Sequence, residues 1–377
     1  MNALRKLWMA LISVLERSTG GVSTRGGNVS AYNLVGNDQI NVFLSPMQAT
    51  AIYQLPAPVA DFVGREGEIA VVLKAVQAGK PIGIFGLGGF GKTELARVVA
   101  SRLAGNFPDA QLLISLQGGL KEPRRAEDAL LNCLVALRAL PPERNILNIR
   151  ELQQLYLGAL KGKRALVLLD DAANLKQVGP LLPPAGCALI ITARSPIAVP
   201  GLERVLLDSL PQQEALQLFE SIAKDIDRDI ANQICSLCGF LPLAVRACAT
   251  RLAYTPDLDP REYATRLEEE NNRLTLIANP DIGGNIEAVL DSSYQLLNHV
   301  ESTIFKRLAV FQGSWDSAAE EHICEDHSHQ ALTHLVKLSL VTFDKNQARY
   351  RFHDLVRLYA SKKLDSSELD GQGQRTA

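Results

Sequence analysis

Eight consecutive residues, Gly86-Leu87-Gly88-Gly89-Phe90-Gly91-Lys92-Thr93, set glycines, a lysine and a hydroxyl at the spacing G-x-x-x-x-G-K-[ST]. The chemistry such a run supports is the binding of a polyphosphate. Glycines let successive backbone N–H groups wrap phosphate oxygens, and a helix N-terminus adds a favourable dipole. Lys92 neutralises β/γ-phosphate charge, and the Thr93 hydroxyl can ligate Mg2+. The apolar run PIGIFG at 81–86 reads as the strand before this loop, and TELARVVA, which begins with Thr93-Glu94, reads as the helix after it. A magnesium-bound polyphosphate also needs acid at the end of another central strand. Asp170-Asp171 follow the aliphatic run 166–169. Asp170 is the candidate magnesium partner through water, and Asp171 the candidate to orient the attacking water. Paired acids there could also cap a helix. Arg194 ends LIITAR, and strand C-terminal ends line the site in open α/β sheets, which places it to meet a γ-phosphate. Lys92, Asp170, Asp171 and Arg194 are the candidate catalytic set.

These groups need a scaffold of buried parallel strands. The runs at 81–86, 110–116, 164–171, 187–194 and 203–210 are continuously apolar and alternate with helical stretches, the pattern of a doubly wound sheet covered on both faces. Ahead of them, Ile69, Val72, Leu73 and Val76 repeat at helical spacing, and Gly79 closes that helix. From Pro211 to about residue 279 the pattern is almost entirely helical. The last part mixes helices with one short hairpin signal, 340–343 and 348–352 around Asp344-Lys345-Asn346, which suggests a winged helix. The fold class is therefore an α/β P-loop NTPase, a parallel sheet with flanking helices, followed by a helical domain and a winged-helix domain. The expected partition is an amphipathic helix at 1–18, a low-charge segment at 19–54, the nucleotide-binding domain at 55–204, the helical domain at 205–280, the winged helix at 281–365 and a disordered tail at 366–377.

Length and composition bound the rest. The chain has 377 residues, 47% of them hydrophobic, and a formal net charge of −2, so nucleic-acid binding is not called for by charge. Over 284–365, nine lysines and arginines face eleven acids, which also speaks against a phosphate-backbone surface. Six cysteines without a secreted framework point to a cytoplasmic protein. The basic start and the apolar stretch 7–15 mimic a signal peptide, but no small-residue cleavage site follows. No stretch reaches the roughly 20 apolar residues of a membrane span. Residues 18–54 carry only Arg25 and Asp38 as charges, with β-prone runs at 29–35 and 39–44 about a Gly36-Asn37-Asp38 turn signal. That segment is either a linker with a small hairpin or a cross-β signalling motif. Cys235-x-x-Cys238 and the cluster His322, Cys324, His327 and His329 lack a ligand set at zinc-like spacing and are read as packing and loop residues.

An ordered set of short motifs carries a family resemblance over roughly 60–362: Phe62-Val63-Gly64-Arg65-Glu66, the phosphate loop, Leu168-Leu169-Asp170-Asp171, Thr192-Ala193-Arg194, Leu210-Pro211 with Glu214-Ala215 and Leu218-Phe219, Gly239-Phe240-Leu241-Pro242-Leu243-Ala244 and Phe352-His353-Asp354. Together they resemble the NB-ARC module of the STAND ATPases, the class that includes plant disease-resistance receptors, apoptosome scaffolds and actinobacterial AfsR-type regulators. The resemblance implies ADP/ATP and Mg2+ as cofactors, a closed ADP state and opening with self-association after exchange to ATP. It implies that Val63, Gly64 and Arg65 border the adenine, that Pro242 touches base or sugar, and that His353 contacts the ADP β-phosphate while Asp354 holds the hinge. Read from the residues alone, the His353-Asp354 pair is equally a helix N-cap. Phe352 stands where the family usually has Met. Most relatives carry a long repeat array after the winged helix, whereas this sequence ends shortly after His353, so its sensor is a separate protein or the chain is a minimal or truncated member. Residues 1–54 are the expected attachment point for a separate sensor or effector.

Overall fold

The computed structural model describes the backbone of residues 22–25, 28–32, 39–40, 52–53 and 367–373, and both backbone and side chains at 55–140, 148–278 and 285–366. The helix expected at 1–18 lies outside the described residues. The chain divides into two compact units, Met1–Ala51 and Ile52–Ala377. In the first, β1 (Val22–Arg25), β2 (Asn28–Tyr32) and β3 (Gln39–Ile40) form an antiparallel sheet in that order. The pairs Ala31↔Ile40 and Tyr32↔Gln39 join the two runs expected to form a hairpin; β1 was not expected.

The second unit is built on a parallel six-stranded sheet. Its strands are β4 (Ile52–Tyr53), β5 (Ile82–Phe85), β6 (Ala110–Ser115), β7 (Ala165–Ala172), β8 (Ala188–Ala193) and β9 (Glu203–Leu206), in the order β4-β6-β7-β8-β5-β9. All five apolar runs are strands, and β4 adds a short edge. Because both faces are covered, neighbouring positions on one strand feed different cores. Leu166 and Leu168 face α1 (Glu66–Gln77) and α2 (Lys92–Leu103), whereas Val167 and Leu169 face α3 (Ala126–Ala136) and α4 (Ile149–Leu160). A short α5 (Leu175–Val178) follows β7. The sheet order places β8 between β5, which delivers the phosphate loop, and β7, which delivers the acids.

Helices α6 (Gln212–Ile222), α7 (Arg228–Leu237), α8 (Pro242–Tyr254), α9 (Pro260–Glu268) and α10 (Glu270–Ile277) come next. Local sequence sets several of their starts. Asp227 and Asp259 side chains accept N–H groups of the first turns of α7 and α9, and Pro242 and Pro260 occupy first helical positions, where a missing N–H costs nothing. The remaining elements are α11 (Ile286–Tyr294), α12 (His299–Arg307), α13 (Ser317–Cys324), α14 (Gln330–Lys337), the hairpin β10 (Thr342–Asp344) and β11 (Arg349–Arg351), and α15 (Asp354–Gly373). Trp315, ahead of α13, is bridged to Tyr350. The order after α11 is thus a helix, the Trp315–Tyr350 bridge, two helices and a hairpin. One core runs from the sheet through α6–α10 to Phe352, Leu355 and Tyr359. Helix α15 extends to Gly373, into the stretch read from sequence as a disordered tail, because each added turn of an existing helix gains hydrogen bonds without a new nucleation cost. Among the described residues, no helix is long and apolar enough to cross a membrane.

Candidate functional site

The phosphate loop links β5 to α2. Gly86, Gly89 and Gly91 have φ of 145°, 88° and 86°, which only glycine adopts without strain. At Gly86 a Cβ would also lie 2.6 Å from the Leu207 carbonyl oxygen. Helix α2 begins at Gly91 with no side-chain cap, which leaves its first N–H groups directed at the loop's concavity. The Lys92 ammonium donates to Leu87 O at 2.8 Å. Burial, reinforced by the neighbouring Arg194 charge, pulls its pKa down to about 8, with Asp171 and Asp170 opposing. A buried ammonium this costly to keep charged is matched to an anionic ligand.

Two strand ends bring the acids alongside. Asp170 Oδ1 accepts hydrogen bonds from Thr93 Oγ1 at 2.7 Å and Thr192 Oγ1 at 2.6 Å. Asp171 sits at a register break between β7 and β8, in the left-handed region at φ 51°. Its N–H donates to Thr192 Oγ1 at 2.9 Å, its Oδ2 accepts from the Gly119 N–H at 3.0 Å, and its Oδ1 lies 3.9 Å from Arg194 Nε. The bulge turns consecutive acids to different neighbours, Asp170 toward the loop threonine and Asp171 toward Arg194. Hydroxyl and carboxylate oxygens at Thr93 and Asp170 are the hard donors that Mg2+ takes.

A cavity of about 350 Å³ opens from the loop. Its phosphate end is formed by Gly89, Phe90, Gly91, Lys92, Thr93 and Glu94. Its other end is formed by Val59, Asp61, Phe62, Val63 and Arg65 with Leu210, Leu218, Pro242, Leu243 and Arg246. That volume and mixed lining suit a small organic ligand with a charged end. Arg65 is buried, and its guanidinium binds Glu68 at 2.8 Å and the Asp208 carbonyl. Its backbone N–H donates to Glu214 at 3.2 Å. Gly64 does not line the cavity; it leaves room for the Glu214 carboxylate, which a Cβ would overlap at 2.0 Å. Glu94 pairs with Arg97 at 2.8 Å.

Sequence reasoning did not find three features of the site, made by four residues. Val289 of α11 lines the cavity, and a Cβ on Gly88 would come within 2.4 Å of it. Asp61 and Arg246 form an ion pair at 2.5 Å across the far end. Ser293 accepts a hydrogen bond from Arg194 Nη1. All three depend on contacts between distant segments, and none sits in a motif with its own spacing.

His353 lines a different cavity, of about 440 Å³, with Asp208, Ser209, Gly239 and Arg351. Its ring reaches the phosphate loop only through an edge contact with Phe90, centroids 6.0 Å apart. Nδ1 accepts from the Leu355 N–H at 3.2 Å, and Nε2 lies 3.0 Å from the Gly239 carbonyl oxygen and 3.1 Å from Ser209 Oγ. A carbonyl can only accept, so the proton is on Nε2. Burial holds the imidazole below its usual pKa against the pull of Asp354, Gly239 and Asp208. His353 thus caps α15 and latches it to the end of α7.

The remaining polar clusters have local partners. Cys238 Sγ lies 3.5 Å from Cys248 Sγ, which also receives the Tyr263 hydroxyl at 3.4 Å, while Cys235 turns to Ala215 O. His327 and His329 pair with Glu321 and Glu320. Among the described residues no group of three or more His, Cys, Asp or Glu could hold a metal ion.

A parallel sheet with a glycine-rich strand-to-helix loop and acid two strands away defines a P-loop NTPase. Residues 67–228 match the NB-ARC domain family, and the chain carries an NB-ARC domain on a P-loop ATPase fold. It is 36% identical over 342 residues to the regulatory protein AfsR of Streptomyces coelicolor, which covers 84% of this chain and 34% of that protein. The AfsR of Streptomyces griseus is 35% identical over 339 residues, with the same two shares of 84% and 34%. The chain thus spans about a third of the length of these curated relatives. Among solved structures, the Walker-type ATPase of Pyrococcus abyssi aligns with a TM-score of 0.55 at 13% identity, covering 82% of this chain and 99% of that one, a likeness of fold alone.

Proposed function

We propose that the chain is a signalling switch that binds ADP and ATP with Mg2+, is held closed by ADP, and opens on exchange to ATP to self-associate and recruit an effector. The observation that carries this reading is the seating of the C-terminal elements on the nucleotide site. Val289 closes the cavity, Ser339 donates to Arg194 O at 2.8 Å, and His353 holds Gly239. A ligand held under such a cover exchanges only when the cover moves, which couples nucleotide state to conformation. In this reading residues 55–204 bind nucleotide, 205–280 form the helical lever and 281–365 the winged-helix cover, with 1–54 engaging a separate sensor or effector. Val63, Arg65 and Pro242 shape the base end, with Gly64 making room for Glu214 behind it, and residues Gly86 to Glu94 wrap the phosphates. Magnesium held at Thr93 and, through water, at Asp170 neutralises phosphate charge. Asp171 orients water for slow hydrolysis, Arg194 contacts the γ-phosphate, and His353 responds to the diphosphate state through its edge contact with Phe90 of the loop.

The test is to denature the purified protein and quantify the nucleotide released by chromatography. Near-stoichiometric ADP, displaced toward ATP in His353→Ala, supports the switch; an empty protein with rapid ATP turnover refutes it. A second reading, a DNA-binding regulator, is favoured by the element order around α14. The exposed positions of α14 are Gln330, Thr333 and Lys337, a single cation, so a gel-shift titration that detects no duplex binding at low salt discards it.

A further inference from the structure

Three protein groups engage the Arg194 guanidinium, which is largely but not fully buried. Nη1 donates to Ser293 Oγ at 2.5 Å, Nε faces Asp171 at 3.9 Å, and Nη2 packs on Gly119, where a Cβ would fall 2.1 Å away. Ser293 is fully buried and belongs to α11, whose Val289 rests on Gly88 of the phosphate loop. The same helix is tied to α15 on its other side. Asp291 accepts from Tyr359 at 2.6 Å and Lys363 at 2.9 Å, and Glu287 from Lys362 at 2.5 Å. Helix α11 is therefore a strut between the nucleotide cavity and α15, fastened at the cavity by one arginine hydrogen bond.

We propose that Ser293 is a positioning residue for Arg194 that sets the preference between triphosphate and diphosphate: its hydroxyl occupies the guanidinium N–H that a γ-phosphate would claim, so Arg194 holds either α11 or a triphosphate. A diphosphate has no terminal group to compete and leaves α11 seated. A triphosphate withdraws Arg194 and releases the strut, and with it the anchorage of α15. This rests on the reading of Arg194 as the γ-phosphate contact.

The test compares dissociation constants for ADP and a non-hydrolysable ATP analogue, both with Mg2+, in the full chain, Ser293→Ala, Arg194→Ala and the double variant. A hydrogen bond to a charged group is strong enough that Ser293→Ala shifts the ratio toward the triphosphate by about tenfold. In the Arg194→Ala background the same substitution shifts nothing. Equal weakening of both nucleotides, or an unchanged Ser293→Ala effect without Arg194, overturns the proposal and leaves Ser293 as a packing residue. Hydrogen exchange over 286–294 in the unsubstituted protein supplies a readout independent of the folding of any variant: faster exchange with the ATP analogue than with ADP is expected, and identical exchange overturns it. A protein that binds neither nucleotide refutes the switch reading itself, whereas ordinary binding of both with no differential exchange refutes only the role of Ser293.

Discussion

Gly239→Ala is a sharp probe of the latch between α7 and α15. Gly239 has φ 59°, and a Cβ there would lie 2.6 Å from His353 Cε1 and 2.9 Å from Nε2. Two costs follow. Placing an L-residue in the left-handed region costs about 1–2 kcal/mol whatever its surroundings. Relieving the overlap requires moving the imidazole, which loses the Gly239 hydrogen bond and the cap on Leu355, for about a further 1–3 kcal/mol. The single substitution should therefore cost about 2–5 kcal/mol. In a His353→Ala background there is no ring to strike, and only the backbone cost of about 1–2 kcal/mol remains. Denaturant titration of the four proteins gives the difference directly, with a coupling of about 1–3 kcal/mol expected. If Gly239→Ala costs the same with and without the imidazole, the ring does not bear on Gly239 and the latch argument is wrong.

Two further predictions concern pH. Lys92 titrates at about 8 in the unliganded fold and near 10.5 when unfolded, so a bound polyphosphate, which favours the ammonium, takes up a proton above pH 8. Nucleotide affinity should fall as pH rises through 8, by up to about tenfold per unit, and calorimetry should show this dependence vanish in Lys92→Met. The same depressed pKa makes the unliganded fold gain stability across 8 to 10.5, because the unfolded chain binds the extra proton there, so affinity and stability should move in opposite directions. For His353 the folded pKa is also below the ordinary 6.5. Its contribution is complete above 6.5 and is lost as pH falls toward the folded value, since a proton on Nδ1 would face the Leu355 N–H it now accepts. Hydrogen-exchange protection at the start of α15, corrected for the intrinsic pH dependence of exchange, should fall as pH drops below 6.5 in the parent protein and stay flat in His353→Gln; a flat parent profile would sink this assignment.

The parallel strands were legible because strands covered on both faces leave unbroken apolar runs, and 165–169 is buried at every position. The phosphate loop was legible because phosphate wrapping demands its own residue spacing. Strands β4 and β1 were not, since two to four residues in a low-charge stretch carry no period to detect. The cover over the site was hidden for a different reason. Ser293 and Arg194 are 99 residues apart, and His353 and Gly239 114 apart. Nothing local in Leu290 to Tyr294 distinguishes a helix that closes a cavity from one that merely packs. The His353-Asp354 pair was open to two readings from sequence, and the capping one is geometrically present whatever the ring senses.

Thr192 donates its hydroxyl proton to Asp170 and accepts the N–H of Asp171 through the same oxygen. The two acids are thus one mechanical part with a single pivot. Any change at position 192 disturbs both carboxylates at once, so under the roles proposed for them the rate of hydrolysis would not change without the grip on the nucleotide changing too. A timer and a clasp that share a hinge must be inherited together.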